Sequence, residues 1–380
     1  MRPCWIEVDF NCLAHNLTQI RKHTGTSKVM AVVKADAYGH GLIETAKLYQ
    51  KLRVDWLAVA LPQEGLEMRK AGITVPILVF GGLLREQIKE LIEWNLDLTV
   101  SSLENLSWTE EIAQQMDSHA RVHLKIDTGM GRIGTSGFET EHFIKKALSC
   151  QNLEIIGIYS HLACADDPES PMTLEQLKRY ESALEYFQKH STDKPLRHLA
   201  NSGGILHFPQ THFDLVRPGI ILYGVYPDSK SQRLLDLKPA LSLKAQVVYS
   251  KKVKAGQPIS YGATWAPEKD IEVSTIPLGY GDGFRRDLSN RGKILIQAEE
   301  NLIVGRVCMD QFMVNTGLQK IPVGEEVVIL GQQGNQSLSA EKMATELGTI
   351  PYEILTGLNH RIPRVYHPLL KNRLFFMRHQ

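Results

Sequence analysis

Over the first two thirds of the chain, short and almost continuously apolar runs alternate with longer stretches whose apolar positions recur every three or four residues. That pattern arises when parallel strands, buried on both faces, are separated by amphipathic helices. Lys28–Ala35, Trp56–Leu61, Ile77–Phe80, Leu98–Ser101, Arg121–Asp127, Ile155–Leu162, Arg197–Ser202 and Leu215–Arg217 read as eight strands. Between them, Leu84, Ile88, Leu91 and Ile92 line one helical face, and Leu177, Tyr180, Leu184 and Phe187 line another. Ser101 with Glu104, and Thr173 with Gln176, have the spacing of capping boxes and predict two helix starts. Eight strand–helix units in roughly 220 residues approach the size of a (β/α)8, TIM-type barrel, typically about 250 residues. A doubly wound sheet is the competing arrangement.

Beyond about Asp236 the texture changes. Leu241–Val253, Ile271–Leu278, Lys293–Gln297, Leu302–Cys308, Phe312–Asn315 and Val327–Leu330 are short, β-branched-rich runs punctuated by Gly and Pro. They predict a separate, mostly β domain, interrupted by a helix over Ala340–Leu347. The expected division is a barrel over 1–235 and a β domain over 236–380. Trp5–Val8 adds a strand to either, so residues 1–9 are free to pair with the β domain.

A length of 380 residues, against ~150 for one domain, suits this division. Lys+Arg 43 against Asp+Glu 42 leaves a net charge of +1, which gives no reason to expect nucleic acid as a partner. Acidic residues stand where a secretion signal needs an apolar run, and no apolar stretch approaches the ~18 residues of a membrane span. The expectation is a cytoplasmic protein with no membrane partner. The five cysteines, Cys4, Cys12, Cys150, Cys164 and Cys308, are irregularly spaced, without a Cys-x-x-Cys pair, and read as reduced thiols. His198, His207 and His212 match no metal-ligand spacing and read as packing or capping residues; no metal is expected.

In such a barrel the chemistry gathers at the C-terminal strand ends. The polar residues there are Lys34, Lys125 with Asp127, His161, Asn201 with Ser202, and Arg217 before Pro218-Gly219. Lys34 ends the apolar run Val29–Val33, which would hold its amine at the mouth of the core. Desolvation there lowers an amine's pKa and frees it to form a Schiff base. A lysine snorkelling from a strand end is the plainer alternative. The Gly-rich stretch Gly279–Gly283 precedes no clear helix and is weak evidence of a phosphate loop.

Ala31-Val32-Val33-Lys34-Ala35-Asp36-Ala37-Tyr38-Gly39-His40-Gly41 resembles the pyridoxal-phosphate attachment site of the alanine racemases. The resemblance continues through Lys125–Arg132, Val216–Gly219, Ser260–Thr264, Gly305–Gln311 and Ile350–Glu353. It implies an N-terminal (β/α)8 barrel with a C-terminal β domain, and interconversion of L- and D-alanine with pyridoxal 5'-phosphate, supplying D-alanine for the peptidoglycan of the cell wall. It implies that Lys34 holds the cofactor and acts as one of two bases, Tyr261 being the other, since racemisation removes a proton from one face of Cα and returns it to the opposite face. A phenol needs cationic or hydrogen-bonding neighbours to serve as a base, and the resemblance supplies His161 and Arg217 toward it.

By the same resemblance Arg217 meets the pyridine nitrogen. Arginine offers only donors, so it would leave that nitrogen unprotonated, where related barrel decarboxylases use a glutamate. Ser202, Gly219 and Ile220 are expected at the phosphate, with Tyr38 and Tyr352 as hydroxyl donors and Asn201 beside them. Arg132 is expected at the cofactor phenolic oxygen or the substrate carboxylate, and Lys125 carries a carbamate in several relatives. Tyr280, Met309 and Asp310 would line the substrate entry and, with Tyr261, reach a neighbouring subunit's site in a homodimer. Racemases of this fold acting on serine, lysine or several amino acids are an alternative, as is a non-catalytic pyridoxal-phosphate carrier, which lacks the β domain.

Overall fold

The computed structural model describes residues 2–228 and 233–369. Strand β1 (Cys4–Asp9) opens the chain. Eight parallel strands then form one sheet: β2 (Lys28–Val32), β3 (Trp56–Val59), β4 (Ile77–Val79), β5 (Asp97–Val100), β6 (Ala120–Lys125), β7 (Leu153–Tyr159), β8 (Leu196–His198) and β9 (Leu215–Val216). Neighbours follow chain order from β2 to β8, and β9 pairs with β2 on its other side. Backbone bonds from Asp214 N to Arg197 O (3.1 Å) and from Arg217 N to Ala200 O (3.0 Å) link β9 back to the β8 end. The sheet therefore curls into a near-closed barrel; a doubly wound sheet would reverse strand order midway.

The apolar runs form strands here because both faces are covered. Val29, Met30, Ala31 and Val32 are all buried, with helices outside and side chains filling the interior. The helix Arg85–Glu93 buries Ile88 and Leu91, and Met172–His190 buries Leu177, Tyr180, Leu184 and Phe187. The two expected capping boxes are corrected. Ser102, not Ser101, caps its helix, its side chain accepting from Asn105 N at 3.0 Å. Thr173 lies inside the helix that begins at Met172, and Gln176 instead receives Ala163 N (2.8 Å) and donates to His161 O (2.9 Å). Its long amide is better used in pinning the loop after β7 than in a cap.

The remaining strands are β10 (Leu241–Gln246), β11 (Tyr249–Val253), β12 (Ile271–Ile276), β13 (Lys293–Ile296), β14 (Glu299–Val304), β15 (Phe312–Asn315), β16 (Glu326–Gln333), β17 (Gln336–Leu338) and β18 (Arg364–His367). With β1 they make a ten-stranded sheet. β1 runs antiparallel to β10 (Cys4↔Ala245) and parallel to β18 (Ile6↔Arg364). The run Leu241–Val253 is two strands because its backbone changes partner: Val247 N bonds Glu325 O, and Val248 N bonds Thr275 O. β13 and β14 form a hairpin whose turn, Gln297-Ala298, has both φ angles positive (53° and 63°), a turn usually announced by Asn-Gly. The helix Ala340–Leu347 is capped by Ser339. A second, Pro351–Thr356, was not anticipated and carries Tyr352 toward the barrel.

Candidate active site

A cavity of about 540 Å³ opens at the C-terminal ends of the barrel strands. Lys34, Tyr38, Lys125, Arg132, His161, Asn201, Ser202, Arg217, Gly219 and Tyr352 all line it. The chain after β2 enters it through a left-handed turn: Ala35, Asp36, Ala37 and Tyr38 have φ between 52° and 55°. Each such non-glycine residue costs roughly 1–2 kcal/mol, so neighbouring contacts must hold the turn. Glu64 Oε1 accepts from Ala35 N at 2.6 Å while its Oε2 takes Ala60 N and Leu61 N. Asp36 accepts from Leu42 N (2.8 Å) and pairs with Arg364 (3.3 Å). Glu64, a residue sequence reasoning missed, therefore sets how Lys34 enters the cavity; its place in the first turn after Pro62 is the signal that marked it.

Arg217 is 3% exposed. Its Nη1 donates to His198 O (2.8 Å) and Nδ1 (3.0 Å), and its Nη2 to Ser160 O (2.7 Å) and Leu199 O (2.9 Å), with His161 Nδ1 3.5 Å away. Its guanidinium lies 5.3 Å from the Tyr159 ring centroid. Among the described residues it has no carboxylate partner, and burial lowers its pKa to about 10, so it stays charged at neutral pH. Burial first, then the charges of Arg217 and Arg132, push the Lys125 amine well below its ordinary value; its Nζ has no hydrogen-bond partner. Burial and Arg132 lower Lys34 too, against the pull of Glu64. His161 is pushed down by burial and then by the Arg217 charge. Two guanidiniums and two amines thus converge on one cavity, a setting that favours an anionic occupant.

One corner of the cavity gathers polar groups around Gly219. Ser202 Oγ accepts from Gly219 N at 3.0 Å, and a Cβ on Gly219 would stand 2.4 Å from the Tyr38 hydroxyl oxygen. The Tyr38 ring stacks on Tyr223 (4.9 Å) and faces Tyr352 (6.0 Å). Neither Tyr38 nor Tyr352 spends its hydroxyl on a hydrogen bond to the described protein, so both donors are free for a ligand. Ile220 is fully buried in the turn that follows Gly219. Asn201 caps the helix Ser202–His207, accepting from Gly204 N. Hydroxyl donors at one corner, with guanidiniums and amines lining the rest of the same cavity, would fit a phosphorylated aldehyde.

The family model for the alanine racemase N-terminal domain matches residues 8–227, and that for its C-terminal domain residues 240–366. The chain belongs to the alanine racemase family. Membership makes it an enzyme of the isomerase class. It is 42% identical to an alanine racemase of Halothermothrix orenii over 367 residues, 96% of this chain and 97% of that protein. Its fold matches the crystal structure of alanine racemase from the D-cycloserine producer Streptomyces lavendulae with a TM-score of 0.94 and 36% identity, covering 98% of this chain and 99% of that one. A histidine racemase of Leuconostoc mesenteroides matches with a TM-score of 0.87 and 29% identity, covering 97% and 98%.

The other four candidates lie outside the cavity, on the β domain. Tyr261, Tyr280 and Met309 are 71%, 42% and 53% exposed, and Asp310 is exposed and paired with Arg361 at 2.6 Å. They share one surface: Tyr280 N bonds Cys308 O, Gly281 N bonds Met309 O, and Ser260 Oγ donates to Arg306 O. Gly279–Gly283 is a structural turn rather than a phosphate loop; buried Asp282 accepts from Gly279 N and pairs with Arg2 at 2.6 Å. Among the described residues no group of three or more His, Cys, Asp or Glu could hold a metal ion, and no helix is long and apolar enough to cross a membrane.

Proposed function

We propose that the protein interconverts L-alanine and D-alanine with pyridoxal 5'-phosphate on Lys34, and so supplies D-alanine for peptidoglycan. The observation that carries this reading is the meeting of the Lys34 amine, the donor-only Arg217 and the free hydroxyls of Tyr38 and Tyr352 in one cavity. The bound cofactor supplies an electron sink that acidifies the substrate Cα–H. Lys34 Nζ, its pKa lowered by burial and Arg132, exchanges a proton at one face of Cα. The Tyr261 hydroxyl exchanges it at the other. Arg217 would donate toward the ring nitrogen without being able to give up its own proton at working pH, and a donor-only neighbour at that position would favour proton return over bond cleavage. Tyr38, Ser202, Tyr352 and the Ile220 amide would hold the phosphate, with Gly219 donating to Ser202 Oγ beside them and Asn201 fixing the turn that carries Ser202. Arg132 orients the substrate carboxylate, and His161 stands beside Arg217.

Tyr261, Tyr280, Met309 and Asp310 are exposed and do not line their own chain's cavity, and we read them as completing the cavity of a second copy in a homodimer. Lys125, a buried amine whose pKa is pushed down by burial and by the charges of Arg217 and Arg132, is read as the site of a carbamate; a negative charge there would turn repulsion into attraction. Intact mass measured under mild conditions checks it, an unmodified chain counting against it. The division near residues 235/236 and a cytoplasmic location belong to the same reading, the latter supported by five free cysteines. Likeness to a histidine racemase keeps broader amino-acid specificity as a second reading. A non-catalytic carrier is disfavoured by the ten-stranded β domain.

The deciding experiment is a visible spectrum of the purified protein, followed by borohydride reduction and peptide mapping. A reduced label on Lys34 is expected, and a label elsewhere would sink the assignment. Relative kcat/KM for D-alanine, D-serine, D-lysine and D-histidine settles specificity, with alanine expected to lead.

A further inference from the structure

Barrel interiors are ordinarily packed with branched apolar side chains, yet one side of this one is polar from bottom to top. Along β6, alternation turns Arg121, His123 and Lys125 to the same face, and Lys125 lines the cavity. His123 and His198 are fully buried and joined by a 2.9 Å contact between His123 Nδ1 and His198 Nε2. His198 Nδ1 meets Arg217 Nη1 at 3.0 Å. At the far end His123 Nε2 makes no hydrogen bond but lies 3.5 Å from Asp97 Oδ2, and Asp97 is held by Trp56 Nε1 (2.8 Å) and Arg121 Nε (2.7 Å).

The direction of this chain follows from Arg217 alone. A guanidinium has five N–H donors and no acceptor, so His198 Nδ1 must accept. The single proton of neutral His198 then sits on Nε2 and points at His123 Nδ1, which must be bare. His123 in turn carries its proton on Nε2, facing the Asp97 carboxylate. A second proton on either ring would set two N–H groups against each other, so both imidazoles are neutral while Arg217 is in place. The room for the His–His contact is made by Gly157: a Cβ there would stand 2.4 Å from His123 Nδ1 and 3.0 Å from His198 Nε2. Stacking on Tyr159, 4.7 Å away and 6° from parallel, stops the His198 ring from turning.

The outcome lies at the other end of Arg217. His198 and the carbonyls of Ser160 and Leu199 occupy its two terminal nitrogens, leaving the Nε–H as the donor with no partner among the described residues. We propose that Asp97, His123 and His198 are positioning residues that dictate which N–H of Arg217 the cavity receives. The functional consequence rests on reading Arg217 as the ring-nitrogen contact; the proton positions do not.

Nitrogen-15 NMR of histidine-labelled protein, with signals assigned by single His variants, reads those positions without any cofactor. Both His123 and His198 are expected as Nε2–H tautomers, and an Nδ1–H or doubly protonated ring at either position would overturn the proposal, whether or not the protein racemises alanine. Activity gives a second, opposed test. If His198 only packs against Tyr159, His198→Phe should outperform His198→Asn. If it positions Arg217, the Asn carbonyl can stand in for Nδ1 and the order reverses, with kcat in His198→Phe down about tenfold and KM within about threefold. Gly157→Ala, which wedges the two rings apart, should reproduce the Phe defect and add little to it in the double variant. Full additivity, or a Phe variant with unchanged kcat, would overturn the inference. Absence of bound cofactor in the wild-type protein would instead count against the reading of the site.

Discussion

Lys34 is followed by four consecutive residues of left-handed backbone, none of them glycine. Strain of that kind persists only where surroundings over-determine it, and here Glu64, Asp36 and Arg364 do so. The turn swings the chain sharply away from Lys34 and brings the Tyr38 ring back under the cavity, so one strained segment supplies both an amine and a phenol. Ala35 is exposed, which makes it the place to relieve the strain without disturbing packing. In Ala35→Gly, relief of about 1–2 kcal/mol is set against about 0.5–1 kcal/mol of extra chain entropy. A net gain of roughly 0.5–1 kcal/mol is expected in urea unfolding of the cofactor-free protein. A loss would mean that the Ala35 methyl, rather than its backbone, carries the turn.

Among the elements, the turn after β9 is the most exacting. Gly219 presses against the Tyr38 hydroxyl, and Tyr38 cannot withdraw because Tyr223 lies behind it. Gly219→Ala is therefore expected to fold yet bind pyridoxal phosphate about tenfold more weakly, some 1.4 kcal/mol, in an absorbance titration; unchanged affinity would remove this corner from the phosphate site. The strands that frame it were legible because a barrel strand is buried on both faces and reads as an unbroken apolar run. That the polar residues at their C-terminal ends would line one cavity followed from the fold and from the motif around Lys34. What stayed hidden depends on contacts distant in sequence. The left-handed turn is written in Ala-Asp-Ala-Tyr, which carries no turn signal, and is imposed by Glu64 from another βα unit. His198 read as a packing residue because its partners, His123 and Arg217, lie on other strands. The Gln297-Ala298 turn lacks its usual glycine, and the partner switch at Val247–Val248 is invisible in an apolar run.

On the scale of the whole molecule, a net charge of +1 conceals a division of labour: the cations gather in the barrel mouth, while the proposed second base stands on the β domain, 71% exposed. An exposed tyrosine beside exposed Met309 and Tyr280 gives no apolar shelter to a proton-transfer step on its own chain. In the proposed dimer, the barrel of one copy and the β-domain surface of the other make one site, and two-fold symmetry makes that exchange reciprocal. Mixing two inactive proteins tests this directly. Lys34→Ala and Tyr261→Phe homodimers each lack one of the two bases at every site. In a mixed dimer with shared sites, one site takes both lesions and the other takes neither. Random pairing makes half the dimers mixed, so about a quarter of all sites should be intact, and co-expression should restore about that share of wild-type turnover. If Lys34 and Tyr261 serve the same chain's site, every site in the mixture keeps one lesion and the co-expressed protein stays inactive, however readily the subunits associate.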